Sequence, residues 1–247
     1  RALRAALPGA QFSYLADSAH APYGEKSEAA VRQRSLAVAH WLHGAGAQLL
    51  VVACNTATAA AIHLLRQQYP NLPIVGVEPA LKPAAQLSQT RRVGVMATRG
   101  TLESAKFRAL LNALQGQAAF ILQPCDGLAD AIERQDAIKT EALCADYTRA
   151  IGQFGHETGQ IDTLVLGCTH YPLVMPSLQN LLGSHVRLVD SGLPVAQQTH
   201  RLLQAGHACS TASTGTLQLY ATGHPQRLQS AAQRWLQWAS PVTTLLI

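Results

Sequence analysis

Residues 49–59 read LLVVACNTATA, and residues 163–173 read TLVLGCTHYPL. Each stretch is an apolar run rich in Val and Leu that ends at a cysteine and continues into small hydroxyl or amide residues. Such a run is typical of a buried parallel strand that turns into a helix, which places Cys54 and Cys168 at the two turns. Helical segments are predicted to follow at 59–68 and 173–182. The sequence thus predicts two similar strand–turn–helix units.

The position of the two cysteines suggests a catalytic role for their thiols. A turn at the carboxyl end of a parallel strand is where open α/β sheets bind ligands, and a helix N-terminus there lowers the pKa of a thiol. A single cysteine in this place is ordinarily a small buried hydrophobic residue. Two cysteines on matching turns, each followed by polar groups, favour one active site with two opposed acid/base sulfurs.

Composition narrows the class of protein. The chain has 247 residues, of which 48% are hydrophobic and 13% charged, which is enough for one large or two small folded domains and disfavours disorder. No run approaches the ~18 apolar residues that a membrane helix needs. The five cysteines are odd in number, and none is spaced as C-x-x-C. This pattern disfavours a disulfide framework or structural zinc and predicts a cytoplasmic protein.

The net charge of +5 raises the question of nucleic acid. Lys and Arg are scattered along the chain, however, and aromatic residues make up only 5% of it. A small anionic substrate is therefore favoured over nucleic acid as the partner, and no membrane partner is predicted.

Strand and helix patterns alternate along the chain, which predicts an α/β fold with mostly parallel sheets. The two cysteine units are best explained by two similar α/β lobes, with one cysteine on each and the active site in the cleft between them. Outside these units, further strands are predicted at 11–16, 74–77, 93–98, 119–123, 186–189 and 217–222. Further helices are predicted at 1–7, 27–43, 81–90, 102–114, 129–154 with a break near 136, 194–203 and 225–238, and a loop at 206–215.

Several motifs together carry a family resemblance. The loop LADSAHAPYG at 15–24, the motif CNTA at 54–57 and the motif GCTHYP at 167–172 resemble those of bacterial glutamate racemases, in the aspartate/glutamate racemase family. VGVEPA at 75–80 and DSG at 190–192 match as well. The resemblance implies interconversion of L- and D-glutamate without a cofactor, which supplies D-glutamate for peptidoglycan.

The resemblance also implies a division into lobes. One lobe is expected at 1–78 plus 188–247 and carries Cys54, and the other is expected at 79–187 and carries Cys168. The family opens with a strand that ends in an Asp-Ser-Gly turn and helps to bind substrate. This turn is expected before Arg1, outside the sequence as given, and a homodimer is left open.

Racemisation requires a proton to leave one face of the α-carbon and another to arrive on the opposite face. A thiolate and a thiol on opposite faces do this without moving, so Cys54 and Cys168 are the predicted pair of bases. A pyridoxal cofactor would need a lysine at a strand-end turn, and no lysine has that position, so no cofactor is predicted. The lysines are Lys26, Lys82, Lys106 and Lys139.

Two further residues are predicted to assist the chemistry. His170 lies two residues after Cys168 and can donate a proton near neutral pH, although it could also be a loop histidine that is satisfied locally. Glu133 lies in a segment, 125–133, that resembles the family segment whose glutamate partners this histidine. The alternative for Glu133 is a solvated helix carboxylate.

Substrate carboxylates need hydroxyl, amide and main-chain donors. Tyr23 and Gly24 match the substrate loop of the family, and the other candidates lie at strand-end turns, where they would look the same as simple helix caps or turn residues. These candidates are Asn55, Thr56, Thr98, Thr101, Thr169 and His170.

Three rival interpretations remain. The first is a related racemase that acts on aspartate, and the second is a non-catalytic binding protein on the racemase scaffold, which the absent Asp-Ser segment keeps open. The third, a metal site, is disfavoured because Cys168 and His170 have no third ligand at a usable spacing. No metal is therefore predicted.

Overall fold

The computed structural model of the chain describes residues 1–205 and 215–247. Its strands are β1 (Phe12–Ala16), β2 (Leu50–Val52), β3 (Ile74–Gly76), β4 (Arg92–Ala97), β5 (Ala119–Pro124), β6 (Thr163–Leu166), β7 (Arg187–Val189), β8 (Leu217–Ala221) and β9 (Val242–Thr244). Its longer helices are α2 (Glu28–Gly44), α3 (Asn55–Gln68), α6 (Ala105–Asn112), α8 (Ala137–Ile151), α9 (Met175–Leu182), α10 (Gly192–Ala205) and α11 (Pro225–Leu236). The short helices are α1 (Ala2–Ala6), α4 (Leu81–Leu87), α5 (Arg99–Leu102) and α7 (Leu128–Glu133).

The contacts divide the described chain into two units. Unit 1 consists of Arg1–Ala53, Ala60–Val77 and Gly192–Ile247, and unit 2 of Cys54–Ala59 and Glu78–Ser191. The short segment Cys54–Ala59 therefore has its main contacts in unit 2, although β2 directly before it belongs to unit 1. The lobe boundaries expected from the family resemblance stay a prediction.

Unit 2 is built on a four-stranded parallel sheet in the order β5-β4-β6-β7. Both faces of this sheet are covered. Leu164 and Leu166 pack on one face with α7, α8 and α9, while Val93 and Val165 pack on the other face with α4 and α6. Burial on both faces explains why β4 and β6 are continuous apolar runs.

Unit 1 holds two smaller parallel sheets, β1-β8-β9 and β2-β3. The second sheet packs on α2 and α3 through Leu50, Ile62, Leu65 and neighbouring residues. Helix α2 is capped by Ser27, whose hydroxyl accepts a hydrogen bond from the main-chain N–H of Ala30. All strand pairs of both units are parallel, so the predicted α/β fold with mostly parallel sheets is confirmed.

Several predicted elements differ in detail. The helix after Cys54 begins at Asn55 rather than 59, because the cysteine itself caps its first turn. The predicted helix 102–114 is two helices, because Ser104 caps a new one. The break near 136 is confirmed, since Asp136 caps α8, whereas β9 was not predicted. Of the predicted loop 206–215, only its last residue lies within the described residues.

Within the described ranges, no helix combines the length and the apolar character that crossing a membrane would require.

Candidate active site

Cys54 lies between β2 and α3, and its sulfur accepts the main-chain N–H of Ala57 at 3.4 Å. The sequence predicted a lowered pKa for a thiol in this place, and that prediction is wrong. Burial raises the pKa of Cys54 to about 11, and the hydrogen bonds from Ala57 and Thr56 offset this only in part. Repulsion from the charge of Cys168 raises the pKa of Cys54 as well, so the Cys168 sulfur lies close enough to affect the Cys54 thiol. Cys54 is therefore a neutral thiol near pH 7.

Cys168 follows β6 through Gly167, which fixes its place at the end of the strand. The main-chain N–H of Gly167 donates to the Met96 oxygen on β4 at 2.7 Å. A Cβ atom on Gly167 would lie 2.9 Å from that oxygen and 2.9 Å from the Ala97 side chain. Only glycine fits at this close approach of two strands, so the strand pairing is maintained up to the buried thiol.

His170 contacts both the Cys168 sulfur and the Glu133 carboxylate. The sulfur lies 3.8 Å from Nδ1 of His170, and Nε2 of the same ring lies 3.4 Å from the Glu133 carboxylate. Burial would lower the pKa of His170, but its interactions with Cys168 and Glu133 outweigh burial and raise the pKa to about 10. His170 is therefore an imidazolium at neutral pH and holds a proton next to the sulfur.

The turn in front of α7 is anchored at several points. The hydroxyl of Tyr171, which follows His170, donates to the main-chain oxygen of Cys125 at 3.3 Å. The hydroxyl of Tyr147 donates to the oxygen of Asp126 at 2.6 Å. Because α7 starts directly after this turn and carries Glu133 at its end, these contacts help to set the position of the Glu133 carboxylate.

Three threonine hydroxyls meet beside the Cys54 turn. Thr56 lies 2.9 Å from Thr98 and 3.2 Å from Thr101, and the last two are 2.9 Å apart. Next to them, the side-chain oxygen of Asn55 is buried and makes no hydrogen bond with any described residue. A buried acceptor without a partner is costly, so this cluster is suited to receive a polar ligand.

The structure thus brings most of the predicted site residues together in unit 2, at the carboxyl edge of β4 and β6 and on the adjoining Cys54 segment. Thr169 is exposed directly after Cys168. Tyr23 and Gly24 belong to unit 1, where the Tyr23 hydroxyl donates to Asp17. The residues brought together in unit 2 are Cys54, Asn55, Thr56, Thr98, Thr101, Glu133, Cys168 and His170.

The sequence reasoning gave no role to Asp17 and Arg34, which form a buried ion pair behind the Tyr23 loop. A carboxylate directly after a strand, with an arginine on the next helix, was the available signal. The four described cysteines are all free, and Cys209 lies outside the described residues. In the described ranges no group of three His, Cys, Asp or Glu residues could hold a metal ion.

Comparison with known proteins gives consistent matches along the chain. The model of the Asp/Glu/hydantoin racemase family matches residues 1–199. A glutamate racemase of Stutzerimonas stutzeri is 45% identical over 230 residues, which cover 92% of this chain and 85% of that relative. A glutamate racemase of Pseudomonas aeruginosa is 41% identical over 98% of this chain and 89% of its own length.

Solved structures agree. The crystal structure of a glutamate racemase isoform from Bacillus anthracis is 26% identical and covers 98% of this chain and 90% of its own, with a TM-score of 0.85. The Escherichia coli glutamate racemase, solved with L-glutamate and the activator UDP-MurNAc-Ala, is 29% identical. It covers 98% of this chain and 90% of its own, with a TM-score of 0.81.

Proposed function

Because the chain belongs to the Asp/Glu/hydantoin racemase family, we propose that it interconverts L- and D-glutamate without a cofactor. The observation that carries the proposal is the pair of cysteine turns in unit 2, where the charge of Cys168 acts on the Cys54 thiol and the Cys168 sulfur contacts His170. In this proposal Cys54 and Cys168 transfer the proton on opposite faces of the α-carbon. The glutamate racemase relatives do not favour an aspartate substrate or a non-catalytic role.

The proton transfers balance within the pair. One cysteine, as thiolate, takes the α-proton and becomes a thiol, while the other thiol gives its proton to the opposite face of the carbanion and becomes a thiolate. No electrons or groups leave the substrate, so the reaction needs no oxidant or co-reactant. After one turnover, the cysteine that began as the thiolate is a thiol, and the other cysteine is the thiolate. The reverse reaction, or proton exchange with water, restores the starting protonation states.

The resting state is asymmetric in this proposal. Cys54 holds its proton near pH 7 because burial raises the pKa of the thiol to about 11. Cys168 faces the imidazolium of His170, which stabilises a neighbouring negative charge. In this proposal Cys54 is therefore the proton donor, and Cys168 is the base that acts on the opposite face. Glu133 keeps His170 protonated.

Substrate binding is assigned to the groups beside the two turns. The unpaired oxygen of Asn55 accepts from the substrate ammonium, and the hydroxyls of Thr56, Thr98 and Thr101 donate to a carboxylate. Two or three such donors would replace the water that a carboxylate loses on binding. By the family resemblance, Thr169, Tyr23 and Gly24 complete the binding groups.

The biological role follows from the product. D-Glutamate would be supplied for peptidoglycan, and we place the reaction in the cytoplasm because the described cysteines are free thiols and the sequence has no C-x-x-C pair. A small anionic substrate also suits the positive net charge of the chain.

The test is proton NMR of L-glutamate and of D-glutamate, each with the protein in D2O and no added cofactor. We expect the α-proton signal to disappear while the opposite enantiomer forms. The assay is run on the 247-residue chain and on a version extended before Arg1 by an Asp-Ser-Gly strand of the family type. Absence of racemisation in both folded forms, or faster conversion of aspartate, would overturn the proposal.

A further inference from the structure

The loop at 17–26 connects β1 to α2 in unit 1, and it is organised around the carboxylate of Asp17. Arg34 on α2 donates to both oxygens of this carboxylate, with Nε at 2.9 Å and Nη2 at 2.8 Å. The two side chains are only 7% and 14% exposed. A buried fork of this kind has a single favourable geometry, so it fixes the loop against the helix.

Three more donors point at the same carboxylate. The hydroxyl of Thr222 donates at 2.7 Å, the hydroxyl of Tyr23 at 2.5 Å, and His20 lies 3.1 Å away. Burial would raise the pKa of Asp17, but the hydrogen bonds from Arg34, Tyr23 and Thr222 outweigh it and hold the pKa well below its usual range. The carboxylate is therefore ionised throughout the physiological pH range and binds its donors permanently.

The loop is also attached to the end of β8. The main-chain N–H of Ala19 donates to the Thr222 hydroxyl at 3.2 Å, and that of Gly223 donates to the Ser18 hydroxyl at 3.2 Å. A Cβ atom on Gly223 would lie 2.8 Å from the Ala19 nitrogen, so a side chain there would push the loop away. The start of the loop is thus fixed by contacts to two separate elements.

What the loop presents is its main chain. The phenol of Tyr23 is turned toward Asp17, while Gly24, the next residue, is buried. The N–H of Gly24 makes no hydrogen bond with any described residue. Buried main-chain N–H groups nearly always have an acceptor, so this one is suited to an anionic ligand.

We propose that Asp17 and Arg34 are positioning residues, which hold the loop at 17–26 in one conformation against α2 and β8. That this loop contacts the substrate at Tyr23 and Gly24 is what the family resemblance implies. Tyr23 then acts as an internal anchor, and its phenol does not touch the substrate. The inference rests on the proposed function, because it takes the loop as part of the glutamate site.

The first experiment compares KM and kcat for both enantiomers in Asp17→Asn, Tyr23→Phe, the double variant and Arg34→Lys. Arg34→Lys keeps the charge but loses the fork, and we expect it to raise KM about tenfold with little change in kcat. Arg32→Lys is the matched control, since Arg32 lies on the same helix but is 52% exposed and pairs with Glu28, and its KM should stay as in the wild type.

The double variant separates the anchor from a direct contact. If the phenol acts only through Asp17, Tyr23→Phe raises KM in the wild type but has no further effect in the Asp17→Asn background. Effects that multiply would mean that the phenol binds the substrate, and would overturn this part of the inference. A lower kcat at unchanged KM in Arg34→Lys would indicate lost folded protein only, and would overturn the positioning role.

Amide hydrogen exchange keeps the two proposals apart. Arg34→Lys and Asp17→Asn should speed exchange at 18–26 and leave exchange in β4 and β6 unchanged, while Arg32→Lys should change neither. Unchanged exchange in the loop would overturn the anchoring whether or not the wild type racemises glutamate. A wild type that does not racemise, with the loop exchange as expected, would overturn the function and leave the anchoring in place.

Discussion

Cys54 and Cys168 each lie two residues after the end of a parallel strand, yet their sulfurs have different neighbours. Cys54 caps an α-helix that starts at the next residue and is surrounded by hydroxyl and main-chain groups. Cys168 is followed by a 3-10 turn at Tyr171–Val174 before α9 begins, and its sulfur faces a charged histidine. The same sequence pattern therefore gives one thiol with dipoles beside it and one with a full positive charge.

The difference shows why an isomerase site need not be symmetric. The two enantiomers have equal free energies in water, but the groups around Cys54 differ chemically from those around Cys168. On the Cys54 side, burial dominates and the thiol keeps its proton. On the Cys168 side, His170 and Glu133 supply the charge that a thiolate requires. The two thiols therefore have chemically different surroundings.

The largest expected effect comes from removing either sulfur. Cys54→Ser and Cys168→Ser should each slow racemisation by roughly 10²–10⁴-fold, because a serine hydroxyl is a much poorer proton carrier. Each variant should still exchange the α-proton of one enantiomer in D2O, and the two variants should differ in which one. Cys144→Ala, at a buried thiol outside the motifs, should racemise normally. Exchange of the same enantiomer by both variants would refute the assignment to opposite faces.

The next effect is confined to the Cys168 side. His170→Asn should lower kcat by about 10²-fold and slow the alkylation of Cys168 by iodoacetamide, since the neighbouring positive charge is lost. Alkylation of Cys54, followed on its own peptide by mass spectrometry, should be much less affected. His63→Asn, at an exposed helix position, serves as the control. Equal slowing at both cysteines would contradict the described asymmetry.

A smaller effect is expected for Glu133→Gln, about tenfold in kcat at neutral pH, because Glu133 acts through His170. The pKa of His170 is raised to about 10, so the imidazolium, and with it the activity, is lost as pH rises through that value. Removal of the carboxylate lowers this pKa, and the alkaline limb of the kcat/KM profile should move to lower pH. In the control variant Glu141→Gln, the alkaline limb should stay at the wild-type pH. If the limb does not move in Glu133→Gln either, Glu133 does not act through the pKa of His170.

The smallest effect tests the Cys54 side. The Thr56 hydroxyl lowers the pKa of the Cys54 thiol, against the larger effect of burial. Thr56→Val should therefore raise the pKa further and slow alkylation of Cys54 at pH 9 by about fivefold, from ~1 kcal/mol for one hydrogen bond. Thr56→Ser retains the hydroxyl and should react as the wild type does. If the Val and Ser variants react alike, the Thr56 hydroxyl has no effect on the pKa of the Cys54 thiol.

Much of the fold could be predicted from the sequence because buried parallel strands leave a clear apolar signal. Local capping decided the details that were missed: Cys54 starts α3 early, and Ser104 divides a predicted helix. β9 carries little apolar signal, since two of its three residues are exposed and it is fixed by pairing with β8.

Part of the candidate site could also be predicted from the sequence. The cysteines and His170 lie in short motifs, so their proximity is local, whereas Glu133 came only through the family resemblance. Thr56, Thr98 and Thr101 were candidates, but their mutual hydrogen bonds depend on pairing between distant segments. The raised pKa of Cys54 depends on burial, which no local pattern specifies.

The register of β1 on β8 has a consequence for synthesis on the ribosome. Phe12 pairs with Leu217, and Ala16 with Ala221, so β1 can pair with β8 only after residues up to 221 have been translated. Unit 2 lies between them and is almost continuous in sequence, so it can close while the C-terminal strands are still being made. The β1-β8-β9 sheet of unit 1 is therefore completed last, because its strands come from distant parts of the sequence.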